Sequence, residues 1–316
     1  MNQTRLRVLE ALTDGPVTGP AIAEHLDVSR NAVWKHVEAL REDGFDVRSG
    51  DDGYTLGGLP ALHELSVVLG LDAPFTVESH ARLDSTNRRG RDLAEEGAAD
   101  VVVLANEQTS GRGRLDRTWE APPGGVYLSI VVRPDVPMRD APLFTLAAAV
   151  ATARAAREQG ADAHIKWPND VVVPRDGTSY DKLSGILTEM QGEADRVEWV
   201  LPGIGTNAEA STADLPEGAT SIRAETGAVD RRAFVQRLLE EFDALRENLD
   251  SVVPAWRELA LTLGQRVRVE TPDGDVVGEA IDVERPGTLV VRRDDGEEVR
   301  VNAGDCEHLR PVASED

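Results

Sequence analysis

The sequence predicts an α+β chain of three units: an N-terminal winged helix-turn-helix, a central mixed sheet with helices on one side, and a small C-terminal barrel of the SH3-like type. Three observations predict it. Residues 1–60 carry a helical apolar period broken twice by turn residues. Residues 76–260 mix strand and helix patterns, but few strands are joined by a helix of crossover length, which argues against a doubly wound parallel sheet. From Gln265 onward short strands alternate with Asp-Gly and Pro-Gly turns, the rhythm of a small barrel. The expected boundaries are 1–60, 61–263 and 264–316.

Leu6, Val8, Leu9 and Leu12 define a first amphipathic helix, which Gly15–Pro20 breaks. Ile22, Ala23 and Leu26 form a second. Ser29 is a good N-cap for a third helix from Arg30 to Leu40, ended by Gly44. Val47 to Leu56 then reads as a hairpin turning at Gly50-Asp51-Asp52-Gly53. The outward face of the third helix carries Arg30, Asn31, Lys35 and His36, with Ser29 at its start, groups able to reach base edges and phosphates in a major groove. A protein-interaction module is the alternative, because residues 1–60 hold six Arg and Lys against ten Asp and Glu.

Residues 61–75 form an apolar connector. Val101–Ala105 and Val126–Val132 read as buried strands, and Leu143–Glu158 as an alanine-rich helix. Leu183–Met190 and Val197–Gly205 are further strands, followed by a helix from Arg231 to Asn248. The last unit offers Val267–Val269, Val276-Val277, Thr288–Val291 and Glu298–Val301.

Charge bounds the chemistry. Of 316 residues, 57 are Asp or Glu and 34 are Lys or Arg, for a net charge of −23. Lys35, Lys166 and Lys182 are all the lysines there are. A spread acidic excess with lysine suppressed suits a protein kept soluble at high salt, so a salt-adapted cytosol is expected. No apolar run approaches the ~18 residues of a membrane span, and the first residues lead into an amphipathic segment, not a signal peptide. Cys306 is the single cysteine, which excludes an intrachain disulfide and a cysteine-built metal site. A cytoplasmic protein is the expectation.

Against that acidic background, Gly111-Arg112-Gly113-Arg114-Leu115-Asp116-Arg117-Thr118-Trp119 gathers three arginines around two glycines. Glycine lets a backbone approach a ligand closely, arginine clamps carboxylates and phosphates, and an aromatic plane can stack on a base. Asp116 occupies the place of the third glycine of a dinucleotide fingerprint, so that motif fails, and no phosphate-loop Gly-Lys-Ser/Thr exists. Lys166-Trp167-Pro168-Asn169-Asp170 packs a cation, an amide and a carboxylate around a rigid pair, although a purely structural turn would use the same residues. Lys182 stands at the mouth of the strand Leu183-Ser184-Gly185-Ile186-Leu187. Asp84-Ser85-Thr86-Asn87 marks a helix start, where Ser85 or Asp84 serves as an N-cap in the plainest reading. With Gln108, this neutral cluster suits an amide-like ring, while the arginines and lysines suit an anionic end.

Taken in order with Gly203-Ile204-Gly205-Thr206-Asn207, these motifs resemble those of the biotin protein ligases, and specifically the bifunctional kind that also represses transcription. The resemblance spans nearly the whole chain. It implies a central catalytic domain of the biotin/lipoate-ligase type, class II synthetase-like, between the winged helix and the barrel. It also implies a two-step reaction: biotin and ATP give biotinyl-5′-AMP, then a lysine of a biotin carboxyl carrier domain takes the biotin. By that resemblance Ser85, Thr86, Asn87, Gln108, Arg112, Gly113, Arg114 and Lys182 would bind biotin. Arg114, Arg117, Trp119, Lys166, Asn169 and Asn207 would bind ATP, whose Mg²⁺ accompanies it. Arg112, Arg114, Lys182 and Asp170 would be catalytic, with Asp170 orienting the incoming lysine. The implied partners are an acyl-CoA carboxylase, operator DNA and a second copy of the chain. Two departures stand out: Asp116, where the family often has glycine, and an insertion from Pro174 to Tyr180. A ligand sensor without ligase activity, or a ligase whose winged helix no longer binds DNA, are the competing readings.

Overall fold

A computed structural model describes residues 3–114, 117–177, 179–193, 195–272 and 274–309. The N-terminal unit contains α1 (Gln3–Ala11), α2 (Gly19–Leu26), α3 (Arg30–Glu42) and the hairpin β1 (Asp46–Gly50) and β2 (Gly53–Gly58). Thr18 and Ser29 cap α2 and α3, accepting from Ala21 N–H (3.3 Å) and Ala32 N–H (3.1 Å). Val8, Leu9, Ile22, Val33, Val37 and Leu40 close a small core of their own. That core also takes in Leu65 and Leu69 from the apolar connector, part of which is α4 (Glu64–Val68).

The central sheet has seven strands: β3 (Thr76–His80), β4 (Val101–Ala105), β5 (Val126–Val131), β6 (His164–Lys166), β7 (Asp170–Pro174), β8 (Tyr180–Glu193) and β9 (Arg196–Thr206). Their order is β3-β4-β5-β9-β8-β7-β6. Only β3 with β4 is parallel, so the sheet is mixed as expected. α6 (Pro142–Glu158), α8 (Arg231–Glu247) and α9 (Val252–Leu259) bury their apolar sides on one face, against Leu104, Leu128, Ile130 and Ile204. A short α7 (Ile222–Thr226) precedes α8.

The expectation of helices on one side is corrected. α5 (Thr86–Glu95) lies on the opposite face, where Ala94 packs with Val131, Trp199 and Leu201. Its sequence is polar, and the packing works through small residues. A Cβ on Gly90 would stand 2.7 Å from Leu201 Cδ1, so glycine is what allows α5 to lie so near the sheet.

The C-terminal unit is an all-antiparallel five-stranded sheet of β10 (Arg266–Glu270), β11 (Val276–Glu284), β12 (Thr288–Arg292), β13 (Glu298–Val301) and β14 (Asp305–His308), in the order β13-β12-β11-β10-β14. Val267, Val269, Ala280, Leu289 and Cys306 belong to the same continuous core as the central helices. Trp167, buried at 1% exposure, ties the two units together: its indole donates to Gly287 O (2.9 Å) and its N–H to Thr262 Oγ1 (2.9 Å).

Candidate functional site

A cavity of about 440 Å³ opens between the start of α5, the 108–121 loop, and the floor made by β8 and β9. The loop folds back on itself. Gln108 N–H donates to Ala121 O, Gly113 N–H to Arg117 O and Trp119 N–H to Gly111 O, at 3.1, 2.7 and 3.0 Å. Gly111 is demanded by this closure, since a Cβ there would sit 2.5 Å from Trp119 O. Leu115 and Asp116 lie outside the described residues.

Ser85, Thr86, Asn87, Gln108, Arg112, Gly113, Arg114, Arg117, Trp119, Asn169, Asp170, Lys182 and Asn207 all line this cavity. One end is neutral. Ser85 caps α5, and Gln108 Oε1 accepts from Thr86 N–H (2.7 Å) and Thr86 Oγ1 (3.1 Å). Asn87 Nδ2 donates to Leu187 O (3.2 Å) and Glu189 Oε1 (3.0 Å), while its Oδ1 accepts from the buried Ser129 hydroxyl (2.6 Å). Gln108 is thus tied to Thr86 and Asn87 to Leu187, Glu189 and Ser129, so the wall is held in place before any ligand arrives.

The other end is cationic. Arg114 donates to Asn169 Oδ1 (3.0 Å) and to Gly304 O (2.9 Å), and Asn169 Nδ2 donates to Ile186 O (2.7 Å). Lys182 Nζ pairs with Asp170 Oδ1 at 2.6 Å and lies 5.3 Å from the centre of the Trp119 ring. That ring rests on the glycines of the floor, close to Gly185 and Gly205, and its indole N–H has no partner among the described residues. Asn207 donates to Thr220 O (3.0 Å), holding the 216–219 turn at the rim.

Lys166 departs from expectation and does not line the cavity. Its position on β6 turns it beneath Tyr180, whose ring centre is 5.4 Å from Nζ, in a seam with Cys306 and His308 of β14. Burial works most strongly against its charge, but Asp170, Tyr180 and Cys306 together outweigh it and its pKa is raised. In the same seam burial, reinforced by Lys166, drives His308 down to about 4 and burial pushes Cys306 up to about 11.

Several lining residues carry no signal in the sequence. Arg91, Glu189 and Asp305 reach the cavity from distant elements, and Pro216 to Ala219 form part of its rim. Gly203 is explained by Asn87, whose side chain occupies the space a Cβ would need. On α3, Arg30, Asn31 and Lys35 are exposed, while His36 is half-buried and its pKa lowered by burial and by Arg5. The Ser29 oxygen is engaged as the helix cap. Trp34, absent from the expected DNA face, shares it at 52% exposure.

The fold and its cavity define the biotin/lipoate A/B protein ligase class, whose family pattern matches residues 79–207. Residues 262–309 match the biotin protein ligase C-terminal domain and residues 4–55 an HTH domain. The bifunctional ligase/repressor BirA of Bacillus subtilis is 35% identical over 298 residues, covering 89% of this chain and 90% of that protein. The biotin–[acetyl-CoA-carboxylase] ligase of Mycobacterium tuberculosis is 37% identical over 244 residues, 73% of this chain and 88% of its own. The chain belongs to the biotin protein ligase family, with the domain make-up of its bifunctional ligase/repressor members. In fold it is similar to the biotin protein ligase of Aquifex aeolicus in complex with biotin and ATP, with a TM-score of 0.59 and 24% identity over 74% of this chain and 98% of that one.

Proposed function

We propose that the chain activates biotin with ATP, transfers it to a lysine of a biotin carboxyl carrier domain, and represses transcription through its winged helix. The observation that carries this reading is the polarity of one cavity: amides and hydroxyls beside a self-balanced Arg91–Glu189 pair at one end, loop arginines and Lys182 at the other. Biotin has that same polarity, a ureido ring joined by an apolar chain to a carboxylate.

In the first step a biotin carboxylate oxygen attacks the α-phosphorus of ATP. A P–O bond forms, the bond to pyrophosphate breaks, and biotinyl-5′-AMP results. The phosphorus gathers negative charge as this happens, and preorganised cations in a largely water-excluded site stabilise it. Arg112 and Arg114 supply such charge from the loop. Lys182 supplies it from the floor by exchanging its ion pair with Asp170 for the carboxylate and phosphate oxygens. Trp119 flanks the adenine and offers its indole N–H, while Asn169 and Asn207 hold the nucleotide side of the cavity. Ser85, Thr86, Asn87 and Gln108 read the ureido ring. Mg²⁺ is carried on the triphosphate. Among the described residues no cluster of three His, Cys, Asp or Glu groups provides a separate metal cage.

In the second step a neutral carrier lysine attacks the acyl carbon. The amide bond forms, AMP leaves, and the amine loses its proton. Asp170, released from Lys182 by then, orients that amine. The carrier is the biotin domain of an acyl-CoA carboxylase, operator DNA meets the exposed face of α3, and a homodimer forms through the central sheet. No helix among the described residues is long and apolar enough to cross a membrane, and a cytoplasmic setting supplies ATP and carrier alike.

The test mixes protein, ATP, Mg²⁺, biotin and a carrier domain, in low and in high salt, and looks for biotinylated lysine. No transfer in either condition overturns the reading.

A further inference from the structure

Two arginines of the 108–121 loop reach the C-terminal unit and are used differently. Arg114 is held by two uncharged oxygens, Asn169 Oδ1 at 3.0 Å and Gly304 O at 2.9 Å. Neutral acceptors fix its direction, and no carboxylate among the described residues pairs with it. Arg117 is paired with a carboxylate, Asp305, at the cavity mouth. Its charge is already balanced, and at 65% side-chain exposure it lies at the rim.

Gly304 and Asp305 are themselves rigidly placed. A Cβ on Gly304 would meet Val269 Cγ1 at 2.6 Å and Glu270 O at 2.7 Å, so the turn lies directly on β10. Asp305 opens β14, which pairs Glu270 with Asp305, Val269 with Cys306 and Val267 with His308. Cys306 and His308 are buried, and His308 Nε2 stands 3.1 Å from Thr262 Oγ1. The strand is therefore anchored on one side while its first residue reaches the arginine loop.

We infer that Asp305 is a positioning residue for adenylation: its ion pair with Arg117 docks the 111–119 loop onto the C-terminal sheet, and this holds Arg114 toward the triphosphate. Arg117 then acts as a strut, not as a phosphate ligand. The inference rests on the proposed ligase activity and assigns to the C-terminal unit one specific task within it.

Two measurements test it. Pyrophosphate exchange into ATP with biotin gives kcat and KM for the first step. Asp305→Asn is expected to lower kcat/KM for ATP about fivefold, the scale of a half-exposed ion pair, with part of the loss in kcat because Arg114 faces the reacting phosphorus. Arg117→Gln is expected to do the same, and the double variant no more than either single change, because both remove one interaction. Asp305→Glu should restore most of the efficiency. Additive losses, or a loss from Arg117→Gln with none from Asp305→Asn, overturn the strut and make Arg117 a direct ligand. The second measurement needs no activity. Trypsin cleavage after the loop arginines of the ligand-free protein should be faster in Asp305→Asn, at an unchanged melting midpoint. Equal cleavage rates overturn the docking. If the unaltered protein exchanges no pyrophosphate, the ligase reading fails, and the cleavage comparison still decides the dock.

Discussion

Gly205→Ala probes the cavity floor through a single methyl group. Gly205 lies in β9 outside the left-handed region, so alanine is compatible with its backbone. The obstacle is space. The added Cβ would stand 2.7 Å from Trp119 Nε1, 2.9 Å from Cε2 and 3.3 Å from Cζ2, whereas ordinary contact begins near 3.4 Å. The indole is a rigid plane touched at three atoms, so it must retreat by about 0.7 Å into the cavity. Misplacing a reacting or stacking group by about 1 Å costs up to ~10²-fold. Adenylation efficiency with ATP is accordingly expected to fall roughly 10- to 100-fold, mainly through KM for ATP, while KM for biotin stays near its starting value. Gly185→Ala is the internal comparison. Its Cβ meets Lys182 Cε at 3.2 Å and Trp119 Cζ3 at 3.3 Å, a crowding of tenths of an ångström. A drop of at most about fivefold follows, since a flexible lysine stem can yield. The assay is pyrophosphate exchange at varied ATP, with thermal unfolding alongside. Unchanged exchange by Gly205→Ala, or a larger effect from Gly185→Ala, refutes the placement of Trp119 on the floor.

Lys182→Gln should lower adenylation by about 10²–10³-fold, the usual cost of a transition-state donor, read by exchange at saturating biotin and ATP. Trp34→Ala should weaken operator binding about tenfold by gel shift while leaving adenylation intact, as expected of an aromatic contact on a recognition helix. His308 is neutral in the folded protein, its pKa held at about 4 against 6.5 for the free side chain. Its contribution is present above pH 6.5 and is lost as pH falls toward 4, by at most about 3 kcal/mol. Denaturation at pH 7 and 4.5 should show this fall, and a smaller one in His308→Gln. The acidic surface leads us to expect that the melting midpoint rises from 0.1 M to molar potassium chloride, and a flat or falling midpoint counts against salt adaptation.

Local signals made much of this molecule legible. β4 occupies Val101–Ala105, the run whose apolar residues announced it, and Ser29 and Ser85 cap the helices they were expected to start. The arginine loop and Lys182 could be found because glycine, arginine and scarce lysine are conspicuous in an acidic chain. Other pieces depend on tertiary partners. β14 has the sequence Asp-Cys-Glu-His, with no apolar run, and exists as a strand through its pairing with β10. β3 is a polar edge strand, and α9 carries a proline in its first turn. α5 hid its second-face packing behind Gly90 and Ala94. Asp305 and Glu189 reach the cavity only through long-range folding, which no spacing rule can express. Lys166 shows the converse: its rarity drew attention to it, and it stands in the seam beside His308 and not on the cavity wall.

The contact of Arg114 with Gly304 spans 190 positions of the chain. During synthesis the helix-turn-helix core can close as soon as Leu69 has emerged, because all its members lie upstream. The cavity gains the last of its lining residues in chain order only with Asp305. A growing chain thus closes its helix-turn-helix core long before the cavity is complete, so the N-terminal unit matures first and the cavity last.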